Sequence, residues 1–187
     1  VFRPFRHGPR EGDVVWIGNW GDAERTSELS EFLLEPVRAL RLRARVYGVR
    51  YPEAAKQQLT ASGVEYGGWL PNYEMPRVFG KYRATVHVPR RRYRDSLAGI
   101  PTMRPFEAMA CGIPLLSAPW EDAEGLFSAG RDYLVVRSGS AMRRALRELL
   151  DDDDRAHELA ANARRTILSR HTCGHRVDEL LRILGEL

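Results

Sequence analysis

Cysteine and long apolar runs are scarce in this chain of 187 residues. Two cysteines, Cys111 and Cys173, are too few for a disulfide framework, so we expect a reducing, cytoplasmic compartment. No apolar run approaches the ~20 residues that a membrane-spanning helix needs, and no signal peptide is recognisable. The chain begins at Val1, and we therefore expect the parent protein to be longer. These absences favour a soluble globular domain.

Two nucleotide-binding signatures are also missing. The chain has neither the Gly-x-Gly-x-x-Gly turn of dinucleotide-binding folds nor a Walker motif. Residues 47–50 read Tyr-Gly-Val-Arg where a dinucleotide-binding fold places an acidic residue. These absences weaken a nicotinamide or flavin hypothesis.

The charge that is present is mildly basic. The formal net charge of +4 predicts some affinity for anions without naming one. The densest basic cluster, 90–94, is best interpreted as a solvated loop, with phosphate or acidic-partner contact as the alternative. The acidic run 151–154 favours a solvated helix cap over a metal site, because four consecutive carboxylates cannot converge on one ion.

Strand and helix patterns alternate along the chain. Strands are predicted at 13–18, 45–49, 84–89, 113–117 and 133–136, and 64–71 is predicted as a strand that ends in a loop. Helices are predicted at 29–40 with a kink or a restart at Pro36, and at 53–62, 73–82, 104–111, 122–129, 141–150, 156–168 and 174–187. We expect Asn72, and either Ser138 or Ser140, to cap helices. The alternation predicts an α/β fold, a Rossmann-like doubly wound parallel sheet over 13–187, preceded by an entry segment at 1–12.

Residues 104–116 join a charged pair, a short helix and a buried strand. Arg104 and Glu107 share one helix face near an N-terminus that attracts anions, and Gly112 fits the C-cap. Such an end can hold phosphate, and a carboxylate can accept hydrogen bonds from two vicinal hydroxyls. An exposed structural ion pair explains the same spacing equally well.

The first predicted turn also carries chemistry of this kind. Gly18 and Gly21 give the backbone freedom to approach a phosphate, and Arg25 follows one helical turn later. The two glycines could equally serve only the turn.

Three motifs in the same order resemble group 1 (family 4-like) glycosyltransferases, most closely the branch related to spore-maturation glycosyltransferases. They are Arg-x-Phe-Glu-Ala-x-Ala-x-Gly at 104–112, the strand 13–18 followed by Arg25, and His-Thr-x-x-x-Arg at 171–176. The resemblance covers nearly the whole chain. It implies the C-terminal, donor-binding half of a two-domain GT-B fold, with a separate N-terminal half for the acceptor.

The resemblance also implies roles for single residues. Glu107 would bind the ribose hydroxyls, Arg104 and the Gly18 loop would face the diphosphate, and residues 68–71 would border the base. Trp69 would stack on the base or merely pack. The implied donor-nucleotide site comprises Gly18, Gly21, Arg25, Trp69, Leu70, Arg104, Phe106 and Glu107.

The implied activity is hexosyltransferase-like, without a metal or other cofactor and with a nucleoside-diphosphate sugar as donor. No catalytic residue can be assigned. We expect the fragment alone to bind nucleotide weakly and to transfer nothing.

The chain departs from the family at two positions. Gly99 stands where many relatives have the first glutamate of a Glu-x7-Glu pair, which contacts the sugar, and His87 stands where asparagine is frequent. We interpret His87 as a buried histidine with satisfied hydrogen bonds.

The sequence leaves three other interpretations open. His171, Cys173 and His175 are closely spaced at a helix start and lack the second ligand pair of a zinc site. The resemblance instead implies that His171, Thr172 and Arg176 form a structural terminus that fixes the last helix. For the whole domain, a non-catalytic interaction module is the main rival, and a nucleic-acid-binding module is a weaker one.

Overall fold

The computed structural model describes residues 2–5, 8–21, 23–90, 96, 99 and 102–186. Within them, six parallel strands form one sheet in the order β3-β2-β1-β4-β5-β6. The strands are β1 (Gly12–Ile17), β2 (Ala44–Tyr47), β3 (Val64–Tyr66), β4 (Tyr82–His87), β5 (Leu115–Ser117) and β6 (Leu134–Val135). The strand order reverses between β1 and β4, as in doubly wound Rossmann-like sheets. The predicted fold class is confirmed.

Helices connect the strands. They are α1 (Ala23–Leu29), a π-helical turn (Ser30–Leu34), α2 (Glu35–Leu40), α3 (Glu53–Ala61), a 3-10 turn (Asn72–Glu74), α4 (Met75–Phe79), α5 (Met103–Cys111), α6 (Gly139–Asp151), α7 (Asp153–Arg170) and α8 (Cys173–Gly185).

The sheet is buried on both faces. In β1, Val14 and Trp16 pack into a core with α2, α3 and α6, whereas Val15 and Ile17 pack into a second core with α4, α5 and α7. Burial on both faces explains why the strands are almost continuously apolar in the sequence.

Several local predictions are confirmed. Gly112 takes the left-handed conformation at the C-cap of α5, and the Ser138 hydroxyl accepts a hydrogen bond from the Ala141 N–H at 3.2 Å at the start of α6. The acidic run begins α7, where Asp152 accepts from the Arg155 N–H at 2.9 Å. Pro36 lies in the first turn of α2, directly after the π-helical turn, so the helix restarts there.

The predicted third strand ends in a loop as expected, with the strand itself limited to Val64–Tyr66. Two other element predictions are wrong. Asn72 does not cap a helix with its side chain; it begins the 3-10 turn before α4, which ends at Phe79. Residues 122–129 form turns and bends, because the Asp122 carboxylate accepts hydrogen bonds from the N–H groups of Leu126 and Phe127 and draws the chain into a tight loop.

The two ends of the chain behave differently. In the entry segment, Arg10 Nη1 donates to the Tyr82 carbonyl at 2.5 Å, so this segment contacts the sheet. In α8, by contrast, no residue is buried. Its exposed apolar side chains are Val177, Leu180, Leu181, Ile183 and Leu184.

Within the described residues, no helix combines the length and apolarity required to cross a bilayer.

Candidate functional site

Three loops interlock where β1, β2 and β3 end. The Gly18 N–H donates to the Tyr47 carbonyl at 2.8 Å, and the Gly48 N–H donates to the Gly68 carbonyl at 2.8 Å. The Tyr51 hydroxyl donates to the Gly18 carbonyl at 2.9 Å. A Cβ atom at position 48 would lie 2.0 Å from the Gly18 oxygen, so the two backbones touch. The predicted turn after β1 is therefore held by its neighbours at the carboxyl edge of the sheet.

Gly21 adopts a positive φ of 85°, which favours glycine. A Cβ atom there would lie 2.6 Å from Arg90 Nη2, so the Arg90 side chain lies against this turn. The rest of the predicted basic cluster, residues 91–94, lies outside the described residues. The structure thus brings Arg90 from the end of β4 to the loop after β1.

Arg25 forms a buried ion pair with Glu28. Arg25 Nη1 and Glu28 Oε2 are 3.3 Å apart, and the two side chains are only 8% and 9% exposed. The guanidinium also lies over the Trp16 ring, 5.4 Å from its centroid. Burial lowers the pKa of Arg25, and the Glu28 charge opposes that shift. The immediate charge partner of Arg25 is thus a carboxylate of its own helix.

Arg104 and Glu107 form the second pair, at the start of α5. Arg104 Nη1 and Glu107 Oε2 are 2.6 Å apart, with side-chain exposures of 26% and 10%. Arg104 Nη1 also lies 3.2 Å from Met75 Sδ in α4. Burial raises the pKa of Glu107, and the Arg104 charge opposes that shift. The pair is partly buried, with the guanidinium more open to solvent than the carboxylate.

His87 is buried between hydrogen-bond partners, so the interpretation of it as a satisfied histidine is confirmed. Its Nδ1 lies 2.9 Å from Ser117 Oγ, and its Nε2 lies 2.9 Å from Thr102 Oγ1. Burial, together with the charges of Arg25 and Arg104, lowers the pKa of His87 from 6.5 to about 3. A neutral imidazole therefore lies near both arginines. Thr102 and Ser117 could not be predicted from the sequence as partners of His87, because they lie 15 and 30 positions away from it.

Trp69 and Leu70, which were predicted to border the base, and Phe106 of the predicted donor site differ in exposure. The Trp69 side chain is 70% exposed, so it is not a core tryptophan. Leu70 and Phe106 pack at the edge of the second core. The Phe106 ring contacts the rings of Phe127 and His171, with centroids 4.9 and 5.5 Å apart. Of this group, Trp69 is the side chain presented to solvent.

The His-Thr-x-x-x-Arg motif anchors the start of α8. His171 Nε2 lies 3.0 Å from the Leu126 carbonyl, and Thr172 forms a reciprocal capping box with His175. Arg176 Nη2 donates to the Arg170 carbonyl at 3.0 Å. In the part of the chain that the structure describes, no group of three or more His, Cys, Asp or Glu side chains is placed to hold a metal ion.

A cavity of about 800 Å³ lies at the opposite, amino-terminal end of β4 and β5. Its walls include Phe5, Tyr82, Gly112, Pro114 and Arg164. None of the residues of the predicted donor site lines it. In open α/β sheets ligands bind outside the carboxyl ends of the strands, so we place the candidate site at the His87 end and not in this cavity.

A model of the glycosyl transferase-like family matches residues 25–182. No curated protein sequence matches the chain.

Solved structures of similar shape include Anabaena Alr3699/HepE in complex with UDP and glucose, with 18% identity and a TM-score of 0.72 over 93% of this chain and 48% of that chain. T4 phage BGT in complex with its UDP-glucose substrate has 17% identity and a TM-score of 0.71 over 90% and 47%. A glycosyltransferase from Rickettsia africae has 13% identity and a TM-score of 0.73 over 95% and 48%. This chain therefore spans about half the length of these structures, which share its fold.

Proposed function

The chain belongs to the glycosyl transferase-like family, and from that premise we propose that it is the donor-binding half of a glycosyltransferase. In this role it binds a nucleoside-diphosphate sugar at the carboxyl edge of the sheet, between the turn after β1 and the start of α5. Family membership confirms the resemblance drawn from the motifs. The spore-maturation branch stays a prediction.

The Arg104–Glu107 pair at the start of α5 is the observation that carries this proposal. The first turn of a helix presents N–H groups and a positive dipole end to an anion, and the partly exposed Arg104 guanidinium adds a charged donor beside it. Arg104 contacts Glu107 Oε2, and a carboxylate has a second oxygen with which to accept a hydroxyl hydrogen bond. The pair thus offers one group for phosphate and one for ribose.

The chemistry proposed for the site needs no metal and no cofactor. The helix N–H groups and Arg104 would stabilise the negative charge that develops on the departing nucleoside diphosphate. We assign no general base or nucleophile to this chain. The acceptor would be bound by a second half of the enzyme.

The exposed apolar face of α8 supports a second half. Val177, Leu180, Leu181 and Leu184 are each more than half exposed, which is costly for a surface that stays in water. The matched structures are about twice as long as this chain. We propose that an acceptor-binding half of the same parent protein covers this face. Transfer of sugar by this chain without that half would contradict the proposal.

The sugar itself is recognised without a carboxylate at position 99. Gly99 has a positive φ of 84°, and a Cβ atom there would lie 2.6 Å from Ala123 Cβ. A glutamate does not fit this backbone without rearrangement. We therefore propose that this protein differs from its relatives in how it holds the sugar ring.

The test is calorimetric titration of the chain with UDP, GDP, dTDP and inorganic pyrophosphate. We expect binding to one of the nucleotides and weaker binding to pyrophosphate. Glu107→Gln should weaken nucleotide binding about tenfold or more and leave pyrophosphate binding within about twofold, because Glu107 is assigned to the ribose. Glu65→Gln is the matched control, since Glu65 is an exposed partner of Arg45.

Two outcomes would contradict the assignment. If Glu107→Gln weakened the binding of nucleotide and of pyrophosphate equally, Glu107 would not be the residue that binds the ribose. If the wild-type chain binds no nucleotide, the donor-binding function of this chain fails, and a non-catalytic interaction domain becomes the better description.

A further inference from the structure

A buried hydrogen-bonded bridge joins three segments beside the proposed site. His87 ends β4, Ser117 ends β5, and Thr102 immediately precedes α5. The imidazole lies between the two hydroxyls, 2.9 Å from each. The bridge therefore ties the start of α5 to the two strand ends.

We assign the direction of each hydrogen bond by counting protons. Ser117 Oγ donates its single proton to the Ala118 carbonyl at 2.7 Å, so toward His87 it can only accept. His87 Nδ1 must then carry a proton. The imidazole is neutral because its pKa is lowered to about 3, so Nε2 holds a lone pair and accepts the Thr102 hydroxyl proton.

The position of the Thr102 hydroxyl has a consequence for α5. Threonine at an N-cap usually accepts a hydrogen bond from the first helical N–H groups. Here Thr102 is the N-cap, yet among the described residues its side chain makes no capping hydrogen bond, and its hydroxyl is turned to His87. The first-turn N–H groups of Met103, Arg104 and Phe106 are thus left uncapped by this hydroxyl.

We propose that His87 is a positioning residue that, through Thr102, holds the first turn of α5 open for the diphosphate of the donor. The proposal rests on the proposed function and deepens it. His87 does not touch the reacting atoms. It fixes the backbone from which Arg104 and the helix N–H groups reach the ligand.

Two histidine substitutions separate the two ends of the bridge. The amide of Gln reaches the position of Nε2, so His87→Gln can still accept from Thr102. The amide of Asn reaches only the position of Nδ1, so His87→Asn keeps the Ser117 contact and loses Thr102. In UDP titrations we expect His87→Asn to weaken binding about tenfold and His87→Gln to stay within about threefold of wild type.

A matched pair of threonine substitutions controls for stability. Thr102→Val and Thr85→Val each remove one hydroxyl that makes a buried or partly buried hydrogen bond; Thr85 Oγ1 donates to the Val15 carbonyl within the sheet. Both should lower the free energy of unfolding. Only Thr102→Val should weaken UDP binding, again about tenfold, and Thr102→Ser should restore it.

Nitrogen NMR of the ligand-free chain tests the bridge independently of any nucleotide. We expect the neutral tautomer with the proton on Nδ1 of His87. A proton on Nε2 would overturn the proposal, as would equal loss of affinity in His87→Asn and His87→Gln, or equal loss in Thr102→Val and Thr85→Val. Wild-type binding that neither His87→Asn nor Thr102→Val changes would overturn this proposal alone. Failure of wild type to bind any nucleotide would overturn the proposed function with it.

Discussion

Two Arg-x-x-Glu pairs flank the centre of the sheet, and they differ in exposure. Arg25–Glu28 lies on α1, which follows β1, and Arg104–Glu107 lies on α5, beyond β4. Strands β1 and β4 are neighbours where the strand order reverses. The first pair is closed, with both side chains less than a tenth exposed, whereas the Arg104 side chain is 26% exposed.

This difference shows that the three-residue spacing of an arginine and a glutamate does not by itself indicate a role in ligand binding. An Arg and a Glu three residues apart meet on any helix. The two pairs differ in their surroundings. The Arg25 guanidinium is covered by the Trp16 ring, whereas the Arg104 side chain contacts Met75 and is partly exposed to solvent. We infer that Arg25 supports the site from behind and that Arg104 contacts the ligand.

The largest effect on stability is expected from removing one partner of the buried Arg25–Glu28 pair. Glu28→Ala leaves the Arg25 charge buried without its carboxylate, and we expect a loss of about 3–5 kcal/mol in the free energy of unfolding. Glu65→Ala removes the partner of Arg45 from an exposed pair and should cost less than about 1 kcal/mol. Urea unfolding measures both. Similar losses for the two variants would contradict the distinction between closed and exposed pairs.

The second-largest effect is expected from His87, the imidazole that lies near both arginines. It concerns how the free energy of unfolding depends on pH. The unfolded chain takes up a proton on His87 below pH 6.5, whereas the folded chain resists it until the pKa of about 3, so wild type loses stability as pH falls through this window. His87→Gln has no such loss. Its deficit in unfolding free energy relative to wild type should therefore shrink by about 3 kcal/mol between pH 7 and pH 4.

Urea unfolding at several pH values checks this, and Glu107, present in both proteins, cancels in the difference. Thr85→Val is the control, because threonine does not titrate and its deficit should be constant with pH. A constant deficit for His87→Gln would mean that the imidazole is not buried as a neutral group.

Replacing Arg25 or Arg104 by lysine tests which of the two arginines contributes to UDP binding. Lysine keeps the charge but loses the planar fork that matches phosphate oxygens. We expect Arg104→Lys to weaken UDP binding about tenfold, or about 1.4 kcal/mol, and Arg25→Lys to change it by less than about threefold. Calorimetry compares the two. A larger effect on binding from Arg25→Lys would reverse the assigned roles.

The smallest effect concerns Trp69, outside both pairs. Because its side chain is 70% exposed, Trp69→Ala should change the free energy of unfolding by less than about 0.5 kcal/mol. If the ring stacks on the base, UDP binding falls by about 1 kcal/mol while pyrophosphate binding is unchanged. Equal changes for both ligands would exclude stacking.

Predictions that depend on neighbouring residues were the most reliable. The C-cap at Gly112, the serine cap of α6 and the acidic start of α7 are each decided within a few positions. The structure confirms them, with Ser138 as the cap of the two candidates. The alternation of apolar strands with helices was enough to predict the parallel sheet. Strands that are buried on both faces are almost continuously apolar, and this pattern is easily recognised in the sequence.

Predictions failed where a side chain competes with the backbone or where contacts are distant. At Asp122 the carboxylate takes the N–H groups of Leu126 and Phe127, which ends any helix there. The charged pair of the site could be predicted from the spacing of Arg104 and Glu107. The contact of Thr102 with His87 could not, because the two residues are 15 positions apart in the sequence. The exposure of Trp69 could not be predicted from the sequence either, because a tryptophan at the end of a strand can be buried or exposed.

The interlocked loops at the carboxyl edge set how a ligand would be received. Gly48 touches the Gly18 carbonyl, the Tyr51 hydroxyl holds that same oxygen, and the Val49 N–H donates to Asn19 Oδ1 at 3.0 Å. Fixing the backbone of a mobile loop costs about 1–2 kcal/mol of conformational entropy per residue. These contacts are present without a ligand, so we expect Gly18 and Asn19 to lose little further backbone entropy when a ligand binds at this edge.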